Sequence, residues 1–176
     1  MDFRSDVVLR GMAWDQTIRN LGNIFTKKNA TNYSIFLLSM SIGIMYDKQI
    51  KKLEEAEDGD TYTVPRNVLT THNMDGRMDF MYQAAILTSQ TVDFGEDERL
   101  EMAFGDDYDS SKKIEFLTGF ANFGATKLAE KVGSSDLESM ENIKNFLVST
   151  LEGRNFDIDA LTDEDLLDDW TPDFDN

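Results

Sequence analysis

The first apolar residues of the chain recur at the spacing of one helix face. Intervals of three and four residues separate Val7, Gly11, Trp14, Ile18, Leu21 and Phe25. That spacing lines side chains up on a single side of an α-helix. We therefore predict a first helix from about Val7, closed by Lys27-Lys28-Asn29, where the helix dipole favours positive charge.

The next segment is apolar on nearly every side. A second helix is predicted to begin at Thr31 or Asn32, since both are good N-caps. Its apolar run from Ile35 to Met45 is typical of a buried central helix, and a polar continuation through Glu55 is predicted. A short buried strand over residues 35–38 is the competing interpretation, but the length of the run favours helix.

The remaining pattern is helical as well. Further helices are predicted over residues 73–89, from Glu96 to a stop at Gly105, over 111–132, and after Ser135, whose pairing with Glu138 resembles a capping box. No strand signal exceeds Thr61-Tyr62-Thr63-Val64. The fold class predicted is all-α, a single compact domain of five or six helices over residues 1–151, followed by an acidic-aromatic tail over 152–176.

Small residues cluster in the fourth long helix. The run Gly119-Phe120-Ala121-Asn122-Phe123-Gly124 has two glycines but no lysine for a phosphate, and it lies within a helical pattern. We interpret it as a place where another backbone approaches closely rather than as a nucleotide loop.

Charge changes the picture most. The 176 residues contain 34 acidic and 17 basic side chains, a net charge of −17. Such a surface repels nucleic acid and anionic lipid, so direct binding to either is not expected. No apolar stretch is long enough to cross a bilayer and the chain has no signal-peptide pattern, which favours a soluble cytoplasmic protein.

The negative charge is concentrated in two segments. Residues 61–111 contain 10 acidic and 3 basic side chains, and residues 152–176 contain 10 and 1. Acidic residues interleaved with large apolar ones are typical of segments that dock on a basic, apolar-lined groove. The partner-binding residues predicted are Asp93, Glu96, Asp97, Glu98, Asp106, Asp107, Asp109, Asp163, Glu164, Asp165, Asp168, Asp169, Trp170 and Phe174.

Two readings of these segments stay open. The apolar residues of the tail, with Trp170 and Phe174 as its aromatic anchors, either bind a partner or fold back on the protein's own core. The carboxylates either imitate the phosphate array of a DNA duplex or serve solubility alone.

Chemistry that would make the chain an enzyme is hard to find in the sequence. There is no Cys, and His72 is the single imidazole, so multi-histidine and Cys-ligated metal sites are excluded. No nucleophile or phosphate-loop motif is present, and no cofactor is expected. The alternatives are a metal-dependent enzyme using carboxylates of residues 75–109, or a virion structural protein that forms a homo-oligomer.

Part of the chain resembles a known family. The residues concerned are Asn23-Ile24-Phe25, Ser41-Ile42-Gly43, Val64-Pro65-Arg66, Phe116 to Gly124 and Lys127-Leu128. Over about residues 20–130 they resemble small helical proteins encoded beside bacterial DNA-phosphorothioation and related defence systems. The resemblance implies a non-catalytic accessory subunit of a DNA-modifying or anti-phage assembly, and it assigns no functional residue.

These observations together favour a non-catalytic interaction protein. We expect it to present acidic and aromatic surfaces to a basic protein partner, itself plausible as a nucleic-acid-binding protein, in a DNA-processing or phage-defence complex. It would act there as an accessory subunit or an inhibitor.

Overall fold

The computed structural model describes residues 1–24, 31–54, 60–105 and 109–152 of the chain. Over these ranges the protein is mostly helical, as predicted, with seven helices and one two-stranded sheet. The elements are β1 (Val7–Leu9), α1 (Met12–Leu21), α2 (Thr31–Tyr46), β2 (Tyr62–Val64), α3 (Arg66–His72), α4 (Arg77–Thr88), α5 (Glu96–Phe104), α6 (Ser110–Ala129) and α7 (Asp136–Glu152).

Helices α2 and α6 form the centre of the fold. They share the most extensive contact between described elements, and α1 packs against α6 beside them. Phe36 and Met40 of α2 and Phe120 of α6 are almost fully buried between the layers. The prediction that the apolar run after Ile35 forms a buried central helix is therefore confirmed, and the strand alternative is wrong.

Two glycines allow the backbones of α2 and α6 to touch. A Cβ at Gly124 would overlap the carbonyl oxygen of Ser39, and a Cβ at Gly43 would overlap that of Phe120. The lack of a side chain at each glycine thus leaves room for the backbone of the other helix. This confirms that the small residues in α6 allow another helix to pack closely. Trp14 of α1 completes the junction, since its indole nitrogen donates to Asn122 Oδ1 of α6 at 2.8 Å.

The predicted first helix is wrong at its start. Val7 and Leu9 are buried while Val8 is exposed, the alternation of a strand. Residues Val7–Leu9 pair antiparallel with Tyr62–Val64, so the strictly all-α fold class needs this correction. The helix begins only at Met12 because Gly11 has a φ of 114°, outside the helical region. Phe25 and the predicted closing residues 27–29 lie outside the described residues.

The second helix is shorter than predicted. Thr31 begins it as expected, but Asp47 adopts a left-handed φ of 50°, which ends α2 and turns the chain away. Residues 47–54, which we call the strap, then run across α6 instead of continuing as helix. The backbone amide of Ile50 donates to Gly119 O at 2.9 Å, and Asn122 Nδ2 donates to Ile50 O at 2.9 Å.

The later helices follow the prediction with shifted boundaries. The helix predicted over 73–89 corresponds to α4, which begins only at Arg77 because Gly76 has a φ of 73°, and the preceding helix α3 was not predicted. The short helix α5 and its stop at Gly105 are confirmed. Helix α6 ends at Ala129 rather than near Gly133, and α7 begins after Ser135, whose Oγ accepts from the Glu138 amide at 3.2 Å.

Alanine at the crossing of α2 and α6 tests this account of the core. Gly124→Ala or Gly43→Ala should lower the free energy of unfolding by about 3 kcal/mol, because the added methyl meets backbone that has no room to move. Gly95→Ala is the matched control, since a Cβ there meets no atom within 4 Å. Urea denaturation compares the three variants, and equal stability of all three would contradict the crossing.

Candidate partner-binding surface

Helices α4 and α5 form an antiparallel pair on the side of the central helices. The end of α4 lies beside the beginning of α5, because the Arg99 side chain of α5 donates to Ile86 O at 2.8 Å. Further back along α4, Gln83 Nε2 donates to Ala103 O near the end of α5 at 3.2 Å. These two contacts fix which faces of the two helices lie next to each other.

Arg99 holds the connection between these helices. Its guanidinium donates to four backbone carbonyl oxygens: Ile86, Ser89 (2.6 Å), Val92 (2.6 Å) and Phe94 (3.0 Å). The carbonyl oxygens at the end of α4 have no hydrogen-bond partner within the helix. The guanidinium of Arg99 donates to them, and without these bonds they would be costly to bury. The donors of Arg99 therefore hold this connection in place.

Asp47 fixes the same connection from the other side. Its Oδ2 accepts from the backbone amides of Gln90 at 2.7 Å and Thr91 at 3.1 Å, and its Oδ1 accepts from Thr91 Oγ1 at 3.1 Å. Partial burial raises the pKa of Asp47, but hydrogen bonds from Ser89, Gln90 and Thr91 outweigh it and lower the pKa below its ordinary value. The ionised carboxylate thus ties the end of α2 to the segment preceding α5.

Large apolar side chains are exposed on the outward faces of α4 and α5. Phe80 and Leu87 lie seven residues apart on the side of α4 turned away from the core, with 69% and 40% of their surface exposed. Leu100 and Phe104 lie four apart on α5, 47% and 61% exposed. We call these four residues, together with the carboxylates Asp97 and Glu101 of α5, the α4–α5 surface.

Carboxylates flank the apolar residues on α5. Asp97 and Glu101 lie on the same outward face as Leu100 and Phe104 at helical spacing, and both are exposed. The predicted residues Glu96, Asp97 and Glu98 form the first turn of α5, where acids also stabilise the helix through its dipole. Asp93 precedes the helix and is exposed in the connection.

Asp109 has a different position from these acids. It is the N-cap of α6, where its carboxylate accepts from the Ser111 amide at 2.9 Å. That hydrogen bond lowers the pKa of Asp109, with a further contribution from Arg4. The structure thus brings Asp93, Glu96, Asp97 and Glu98 together at α5 and gives Asp109 a capping role. The other predicted residues, Asp106, Asp107, Asp163, Glu164, Asp165, Asp168, Asp169, Trp170 and Phe174, lie outside the described residues.

His72 and the carboxylates of residues 75–109 are the residues considered for catalysis or metal binding. His72 is exposed at the end of α3, and its ring stacks on Tyr33 with centroids 4.6 Å apart. In the described parts of the chain, no three His, Asp or Glu side chains are grouped so as to hold a metal ion. None of the described helices combines the length and apolar character needed to span a membrane.

Sequence reasoning missed the apolar part of the α4–α5 surface. Leu100, Ala103 and Phe104 have the spacing of an amphipathic helix, yet only Ala103 of the three is buried, together with Met102. Phe80 and Leu87 stood out in no motif. The signal in the sequence was the number of large apolar side chains in α4 and α5. That number is greater than one buried face of each helix can accommodate.

Comparison with known proteins gives no family assignment. No family model matches the chain, and no curated protein or solved structure matches it either.

Replacing Arg99 tests its role in building the surface. Arg99→Lys keeps the charge but cannot reach four carbonyl oxygens, so we expect a loss of about 2 kcal/mol in unfolding free energy and faster amide exchange in α5. Arg66→Lys, at an exposed arginine, is the control and should be neutral. Unchanged exchange in α5 of the Arg99→Lys protein would show that the guanidinium does not hold the helix.

The hydrogen bonds of Asp47 predict a pH dependence. Because its pKa is lowered by folding, the ionised group stabilises the protein above the pKa of the unfolded chain, and this stability is lost as pH falls through the folded pKa. Asp47→Asn tolerates the left-handed backbone and should cost about 1 kcal/mol at pH 7. The difference from the parent protein should shrink below about pH 4. A difference that stays constant with pH in urea denaturation would contradict this.

Proposed function

We propose that the protein is a non-catalytic interaction protein that docks acidic and apolar surfaces on a basic protein partner. The observation that supports it best is the α4–α5 surface, on which two large exposed side chains of α4 and two of α5 face solvent. Several large apolar side chains exposed on one pair of packed helices mark an interaction site more often than a single exposed one does.

The charge beside this apolar face indicates the kind of partner. Residues 91–105 contain five carboxylates and a single basic residue, Arg99, whose donors are used by backbone carbonyls. Five carboxylates and one arginine leave this segment, where Leu100 and Phe104 are exposed, with a net charge of −4. A partner with lysine or arginine around an apolar pocket fits both features, since the charges would speed encounter and the apolar groups would hold the complex.

Solubility alone explains the acids less well than docking does. Carboxylates placed only to keep a protein in solution need no large apolar side chains between them, and those side chains work against solubility. Asp97 and Glu101 lie among Leu100 and Phe104 rather than on a separate face. The mixture is typical of a surface that is covered in a complex.

The cellular setting of this proposal comes from the resemblance noted in the sequence. We propose an accessory subunit or inhibitor in a cytoplasmic DNA-processing or phage-defence complex, its partner being a basic protein that binds nucleic acid. The acidic-aromatic tail, with Trp170 and Phe174, is proposed as a second contact with the same partner.

The test begins with the full chain as bait in its native cells and mass spectrometry of what is retained. We expect a protein rich in lysine and arginine, whose affinity is then measured with purified components. Leu100→Ala with Phe104→Ala should weaken binding at least about tenfold while leaving stability nearly unchanged, because both side chains face solvent. Asp97→Asn with Glu101→Gln should lower the association rate and its dependence on salt.

Leu137→Ala with Met140→Ala is the matched control, since these residues of α7 are 67% and 52% exposed on a different helix. Equal losses in the two alanine pairs, or retention of no basic protein, would overturn the proposal for the α4–α5 surface. The same measurement with residues 1–151 and with Trp170→Ala plus Phe174→Ala decides whether the tail contributes.

A further inference from the structure

A cavity lined by cationic side chains lies beside the N-terminal strand β1. This open cavity of about 520 Å³ lies between β1, the segment following it, the strap and α6. Its lining is Val8, Arg10, Lys51, Lys52, Leu53, Thr118 and Asn122. Three of these seven side chains are cationic and none is a carboxylate, in a chain with twice as many acidic as basic residues.

The walls of this cavity are held in place by backbone contacts. On one side, Val8 pairs with Thr63 in the sheet, and Arg10 follows directly. On the other, the strap is fixed to α6 through both backbone groups of Ile50. The two walls are joined where the Met12 amide donates to Glu54 O at 3.0 Å. Arg10 and Lys51 thus project from backbone that is already positioned before a ligand arrives.

Arg10 and Lys51 also keep their charge available. Both side chains are exposed, and among the described residues the ion pairs involve Arg19, Arg77, Lys127 and the terminal amine instead. Lys52 already has an interaction within the chain, which leaves Arg10 and Lys51 as the two cations considered for ligand binding. Two cations at one concave site attract an anion more strongly than either would on a flat surface.

We propose that this cavity binds a small phosphate-bearing molecule, with the phosphate between Arg10 and Lys51. The guanidinium of Arg10 offers paired donors that match phosphate oxygens, and Lys51 adds a compact charge. Val8, half exposed, and Leu53 provide apolar wall for an organic portion of the ligand. The volume is in the range of small-molecule sites.

The rest of the molecule limits the size of that ligand. A net charge of −17 repels an extended polyanion such as a nucleic acid strand, whose further phosphates would lie over acidic surface. A single phosphoryl group on a compact molecule avoids this repulsion. The site is therefore distinct from the α4–α5 surface in both charge and ligand, and it does not depend on the proposed function.

The experiment uses the full chain with adenosine monophosphate and adenosine as probes, at low salt, with binding followed by amide chemical shifts. We expect saturable binding of the monophosphate below about 1 mM and at least tenfold weaker binding of adenosine. Shifts should centre on residues 8–10, 51–53 and 118–122. Arg10→Gln with Lys51→Gln should weaken monophosphate binding at least about tenfold.

Arg66→Gln with Lys144→Gln is the control, because it removes one arginine and one lysine that are exposed elsewhere and so changes net charge equally. It should leave the affinity within about twofold of the parent value. Equal weakening by both double variants, equal binding of adenosine, or absence of saturable binding would each overturn the proposal. An unchanged thermal midpoint of Arg10→Gln/Lys51→Gln confirms that the loss is not unfolding.

Discussion

The close crossing of α2 and α6 is the constraint on which the rest of the structure depends. Gly43 and Gly124 bring the two backbones into contact, and Trp14 of α1 donates to Asn122 of α6, the helix against which α1 packs most extensively. On the same helix, the Gly119 carbonyl and the Asn122 amide hold Ile50. Helix α6 thus positions a third helix and the strap as well as α2.

Two charged side chains extend this core into the surfaces that we connect with function. Asp47 ends α2 and holds residues 90 and 91, and Arg99 holds the carbonyls from Ile86 to Phe94. The acidic α4–α5 surface is therefore attached to the same chain segment that begins the strap. The strap, in turn, supplies Lys51 to the cationic cavity. A protein with a strongly negative total charge thus has a cavity whose lining includes three cationic side chains and no carboxylate.

The predictability of these features follows from the range of the interactions that create them. The central helix, the glycine-rich crossing and α5 were accessible from the sequence, because periodicity and small residues are local signals. The strand Val7–Leu9 was not, since Val7 also fits a helix face with Gly11 and Trp14 and the strand's partner lies more than fifty positions away. The same holds for the α4–α5 surface, whose acids were predicted from composition, whereas the exposure of Leu100 and Phe104 depends on where α5 packs.

The most direct measurement of the central claim is amide hydrogen exchange of the full chain, alone and in complex with the basic partner it retains. If the α4–α5 surface is the docking site, binding should slow exchange across residues 77–104 and leave α7 unaffected, because only the covered helices are stabilised by the contact. Slower exchange confined to α7 or to the cationic cavity, with residues 77–104 unchanged, would contradict the account.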